Sequence, residues 1–147
     1  MSKREIVFLT EFESKDMTNL LKRDIEKSFA NEDYKVHVLV WYKGKKLPED
    51  LSNTLDTQYI TSTSFSLFGK LDEKALPGEW AKRPFAVVSC QTKESKKLEK
   101  IIAAYQSEYK LVRSGVNSKA SNVVITDEEQ DISEYLAKSN KYINKFK

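Results

Sequence analysis

The sequence predicts an α/β domain, a three-layer sandwich built on a mainly parallel, Rossmann-like sheet of about five or six strands. Three observations predict it. The stretch from Phe85 to Gly115 runs apolar, amphipathic, apolar, the pattern of one β-α-β unit, and consecutive parallel strands need a crossover that a helix usually supplies. The stretch from Ile6 to Tyr42 has the same order. Finally, a chain of 147 residues without a Pro/Gly-rich linker has the usual size of one domain with one core. A single domain over residues 1–147 is expected, with a less regular elaboration at about 43–84.

Each element has its own signal. Ile6 to Leu9 is a short continuous apolar run, as in a strand covered on both faces. Met17, Leu20, Leu21, Ile25 and Phe29 then recur at spacings of three and four behind the capping candidate Ser14, which is a helix stripe. Val36 to Tyr42 is β-branched and aromatic and reads as a central strand. Within the elaboration, Lys45, Lys46 and Pro48 form a turn, Leu51 and Leu55 fit a short helix, and Gln58 to Thr61 fits an edge strand. Further on, Phe85–Ser89 reads as a strand, Lys93–Gln106 as a helix, and Lys110–Arg113 and Val123–Ile125 as strands. Thr126 and Glu129 have capping-box spacing ahead of a last helix carrying Ile132, Tyr135, Leu136 and Ile143.

Composition narrows the function classes. The 25 Lys and Arg against 22 Asp and Glu leave a formal net charge of +3, a weak basic bias that permits a nucleic-acid-binding face without implying one. One cysteine, Cys90, and one histidine, His37, rule out an internal disulfide and a Cys/His zinc site. The amino terminus has no signal-peptide pattern and no apolar run long enough to span a bilayer, so a cytoplasmic location without membrane contact is expected.

In open parallel sheets a ligand settles beyond the carboxyl ends of the strands, where strand order reverses. If the first strand neighbours the one at Phe85, that crevice is lined by Thr10, Glu11 and Glu13 on one side and Ser89, Cys90, Gln91 and Thr92 on the other. The first turn, TEFES, has no glycine and carries two carboxylates, which disfavours phosphate held by backbone amides. Cys90 reads as a small buried hydrophobe and His37 as a strand residue between valines. No catalytic residue, metal or cofactor is expected.

The segment from Thr61 to Trp80 is the least like generic scaffold. A long connection carrying Phe65, Phe68 and Trp80 either folds over the sheet edge or faces a partner. The leading expectation is therefore a non-enzymatic domain acting through macromolecular binding, by a protein partner or self-association, with those three residues as its surface. One alternative is a small-molecule enzyme or sensor, similar in outline to a glycosyltransferase half-domain, using the crevice. Another is RNA binding through the Lys-rich C-terminal helix, where Lys138, Lys141, Lys145 and Lys147 alternate with Tyr142 and Phe146.

Phe68, Gly69 and Lys70, then Pro84 and Phe85, then Gly115, then Tyr135 and Leu136 together resemble a small uncharacterised family typical of Bacteroidota. The resemblance covers roughly the C-terminal two-thirds. It departs at Ser89 and Cys90, where such strands end in aspartate, and at the segment RSGV. It implies an α/β fold and a cytoplasmic location, and no activity.

Overall fold

The computed structural model describes residues 4–29, 33–67, 69–72, 76, 83–126 and 131–145. Six strands form one sheet: β1 (Arg4–Glu11), β2 (Tyr34–Trp41), β3 (Thr57–Ile60), β4 (Ala86–Ser89), β5 (Tyr109–Arg113) and β6 (Val123–Ile125). Their spatial order is β3-β2-β1-β4-β5-β6, and all five pairings are parallel. This is the Rossmann-like arrangement that the alternating pattern predicts. The centre of the sheet is the β1–β4 pair, and the strongly β-branched β2 lies one place toward the β3 edge.

The helices are α1 (Lys15–Ser28), α2 (Lys96–Ala104) and α3 (Ile132–Asn144). α1 carries the chain from β1 outward to β2, and α2 carries it from β4 outward to β5 in the opposite direction. Because right-handed crossovers that travel in opposite directions lie on opposite faces, the two helices cover different sides of the sheet. α3 returns beside α1, where Tyr34 Oη donates to Asn144 Oδ1. Strand alternation then divides the core. Ile6, Phe8, Val88, Leu111, Ile25, Tyr135 and Leu136 fill the α1/α3 side. Val7, Leu9, Leu39, Val87, Leu98 and Ile101 fill the α2 side.

The elaboration completes the α2 side near β3. Phe65 and Leu71 form an antiparallel bridge around a turn closed by Gly69, whose φ of 78° is the left-handed conformation glycine tolerates best. Lys100 on α2 donates to the Gly69 carbonyl. Leu76 joins the same cluster. No helix forms at Leu51 and Leu55: Leu51 is buried, Leu55 projects into solvent, and Asp56 accepts from the Thr54 and Thr57 hydroxyls to hold an irregular loop.

Two helix starts also differ from the sequence pattern. α2 begins after Ser95, whose hydroxyl accepts from the Leu98 amide, and Lys93 precedes it. α3 begins after Asp131, which accepts from the Ser133 amide. The capping role expected of Thr126 therefore falls to Asp131, since a carboxylate one position before the helix caps it directly; Glu129 lies outside the described residues.

Two core substitutions should move stability in opposite directions. Leu136 is fully buried, so Leu136→Ala should lower unfolding free energy by about 3 kcal/mol. The Tyr105 ring is 1% exposed and its hydroxyl meets no hydrogen-bond partner among the described residues. Tyr105→Phe removes that buried polar group and should raise stability by about 1 kcal/mol. Urea titration measures both, and a loss in Tyr105→Phe would contradict the assignment.

Candidate functional site

The strand order reverses between β1 and β4, and the chain leaves these neighbours in different directions. The Cys90 amide still bonds the Leu9 carbonyl at 2.8 Å, while the Phe12 amide turns away to the Trp41 carbonyl at 2.8 Å. Beyond that divergence lies a cavity of about 290 Å³, at the small end of ligand sites.

Most of the residues expected in the crevice line it. Thr10, Glu11 and Glu13 come from the β1 side, and Cys90, Gln91 and Thr92 from the β4 side. Ser89 does not: it is fully buried and its hydroxyl donates to Gln91 Oε1 at 2.9 Å. That bond fixes the amide, so the Nε2 arm is a donor. Glu11 pairs with Lys43 at 3.5 Å across the rim.

Other lining residues were not foreseen. Arg113, at the end of β5, reaches the cavity while only 4% exposed. Its guanidinium lies 5.4 Å from the centre of the Tyr135 ring, and Tyr135 Oη in turn donates to the Ser89 carbonyl at 2.6 Å. A cation closing the apolar strand Leu111-Val112 is the signal that could have found Arg113, because alternation puts it on the same face as Leu111.

Helix α1 supplies the opposite wall through Met17, Leu20 and Leu21, with Asp24 below and Ile132 of α3 across from them. The apolar stripe of α1 therefore has two roles. Ile25 and Phe29 are buried against the sheet, whereas Met17 and Leu20 are each 52% exposed, because the first turns of the helix rise past the strand ends.

Thiol chemistry gains nothing from this geometry. Burial pushes the Cys90 thiol up to about 12, and the nearby Arg113 charge opposes this only partly. His37 lies on the α2 side of β2 with Leu39, its Nε2 3.3 Å from Glu5 Oε1, so it cannot serve Cys90. Burial also lowers the His37 pKa. Among the described residues no group of three or more His, Cys, Asp or Glu side chains is placed to hold a metal.

The expected partner surface is only partly described. Phe68 and Trp80 lie outside the described residues. Phe65 is buried rather than exposed, its ring edge-on to Trp41 at 5.2 Å and beneath Lys97 Nζ at 4.3 Å. At the other edge, Lys138, Lys141, Lys145 and Tyr142 flank an open groove beside Val124; Lys138 is engaged there by Glu134 at 2.9 Å. No described helix is long and apolar enough to cross a membrane.

No protein-family model, curated protein or solved structure matches this chain.

The buried thiol gives a pH-dependent prediction. The Cys90 pKa is higher in the folded chain, so its stability contribution is whole below the ordinary thiol value of 9.0 and falls as pH rises toward about 12, where only the unfolded chain ionises. Native protein at pH 8 should resist iodoacetamide and react fully in denaturant. Cys90→Ala should lessen the alkaline loss of stability. Rapid labelling of the native protein would contradict this account.

Proposed function

We propose that this chain is a small-molecule-binding domain that takes a metabolite-sized polar ligand into the crevice between β1, β4, β5 and the first turns of α1. One observation carries the reading: the cavity at the strand-order reversal has a buried arginine at its base and half-exposed apolar side chains along its wall. Convergent polar groups within a partly apolar concavity are what small-ligand sites require. The reading is one of binding, as a sensor or carrier, because the protonated Cys90 thiol is a poor nucleophile. It is favoured over partner binding through the elaboration because Phe65, Leu71 and Leu76 are consumed by the core.

Leu20→Trp provides the test. Leu20 is half-exposed on α1, so an indole fits there without disturbing the core and fills the mouth of the crevice. In a thermal-shift screen of amino acids, hydroxy acids, sugars and nucleosides, a ligand at one hundred times its Kd stabilises by about 2.7 kcal/mol. For a chain of this size that raises Tm by roughly 5–10 °C. Wild-type protein should show such a rise with at least one compound, and Leu20→Trp should abolish it. A rise that persists in the variant would place binding elsewhere.

A second reading rests on the groove of Lys141, Tyr142 and Lys145 beside Val124, which offers cations and one aromatic face to single-stranded RNA. Binding of a fluorescent oligouridine should then weaken steeply between 50 and 200 mM salt, by roughly tenfold or more if two or three phosphates are neutralised. A flat salt response would remove it.

A further inference from the structure

We propose that the crevice recognises an uncharged, amphipathic carboxamide or lactam, whose carbonyl oxygen accepts from Gln91 Nε2 and whose hydrocarbon part lies along α1. This rests on the reading of the crevice as the binding site. Gln91 lines the cavity while only 6% exposed, and its Oε1 accepts from the Ser89 hydroxyl at 2.9 Å. A primary amide also carries two N–H donors. Those of Gln91 meet no acceptor among the described residues, and Nε2 is not sealed into the core as the Tyr105 and Ser139 hydroxyls are. A donor held in this way, on a side chain more than nine-tenths buried and facing a cavity, is satisfied by a ligand oxygen in the bound state.

The surroundings select against charge. Glu11, Glu13 and Asp24 in the lining are matched by Arg113 and Lys93 there and by Lys43, 3.5 Å from Glu11. Arg113 is already engaged within the fold, its contact with the Tyr135 ring included. A carboxylate or ammonium brought to the depth of Gln91 would therefore lose hydration with no uncommitted counter-charge beside it among the described residues. A neutral carbonyl loses less and recovers it in one hydrogen bond. Strand alternation puts Thr10 on the face of Ile6 and Phe8, toward α1. Its hydroxyl, in the cavity lining, can accept the amide N–H of the ligand. Met17, Leu20, Leu21 and Ile132 supply the apolar wall.

Isotope-labelled protein observed by NMR tests this, with the methyls of Met17, Leu20, Leu21 and Ile132 reporting on the crevice, Ile143 as a distant control, and the Gln91 side-chain amide as the direct probe. The ligands are hexanamide and caprolactam, with hexanoate and hexylamine as charged counterparts of the same chain length. At least one of the two neutral amides should shift the crevice methyls saturably and move the Gln91 amide protons downfield, while hexanoate and hexylamine bind more weakly by about tenfold or more. Gln91→Glu keeps the acceptor for Ser89 and loses the donor, so it should weaken that amide by about tenfold, with the Ile143 methyl unchanged. The Gln91 amide signal of the wild-type protein decides the matter even where the variant does not fold. Hexanoate or hexylamine binding as tightly as the amides, or a Gln91 amide signal that stays in place while the crevice methyls move, would overturn recognition of a neutral carbonyl and leave the crevice as the site. Shifts confined to methyls outside the crevice, or none with any probe, would overturn the crevice reading itself and the inference with it.

Discussion

Parallel pairing of β1 on both of its edges is the constraint from which the rest of the molecule follows. Ile6 to Leu9 are fully buried, with β2 on one side and β4 on the other. A strand in that position sends its crossover helix one way, while the next unit departs the other way. Right-handedness then forces α1 and α2 onto opposite faces. No helix can bridge the line where they part, so the ends of β1 and β4 diverge and leave space above the sheet. The crevice is thus a product of topology, and side chains only set its chemistry.

That chemistry is supported from behind. Tyr135 ties the end of β4 to α3 through the Ser89 carbonyl, and its ring lies beneath the Arg113 guanidinium. Ser89 orients Gln91. Arg113 and Gln91 are therefore held by a small buried network and by packing, the kind of support that keeps a side chain in one rotamer. The α2 side is held differently: Glu99 accepts from the Ser118 hydroxyl at 2.6 Å and the Ala120 amide at 2.7 Å, fastening the loop between β5 and β6 where no described helix covers it. One face is thus tied down by a loop clamp, and the other has the open mouth.

Much of this was readable from the chain because apolar periodicity reports burial. Ile6–Leu9, Val36–Trp41 and the Phe85–Gly115 unit mark their strands, and the order of elements implies the reversal that places Thr10, Glu11, Cys90 and Gln91 at a crevice. What escaped was information that periodicity does not carry. Met17 and Leu20 belong to the same stripe as Ile25, and only the length of α1 relative to the strand ends decides that they face a cavity. Arg113 reads as the last residue of a strand, and its role depends on β5 standing next to β4, a long-range pairing. Phe65 reads equally as cover for the sheet edge or as partner surface because an irregular connection gives no face to assign; the Gly69 turn and Lys100 decide that it folds inward.

The central claim is that the strand-order reversal opens onto a crevice able to admit a small molecule. Crystals soaked in a mixture of small polar compounds test it most directly. The account predicts ordered density for a bound compound between Thr10, Gln91, Met17 and Leu20, with α1 unmoved. Compounds found only elsewhere on the surface, with the crevice closed over by Met17 and Leu20, would contradict it.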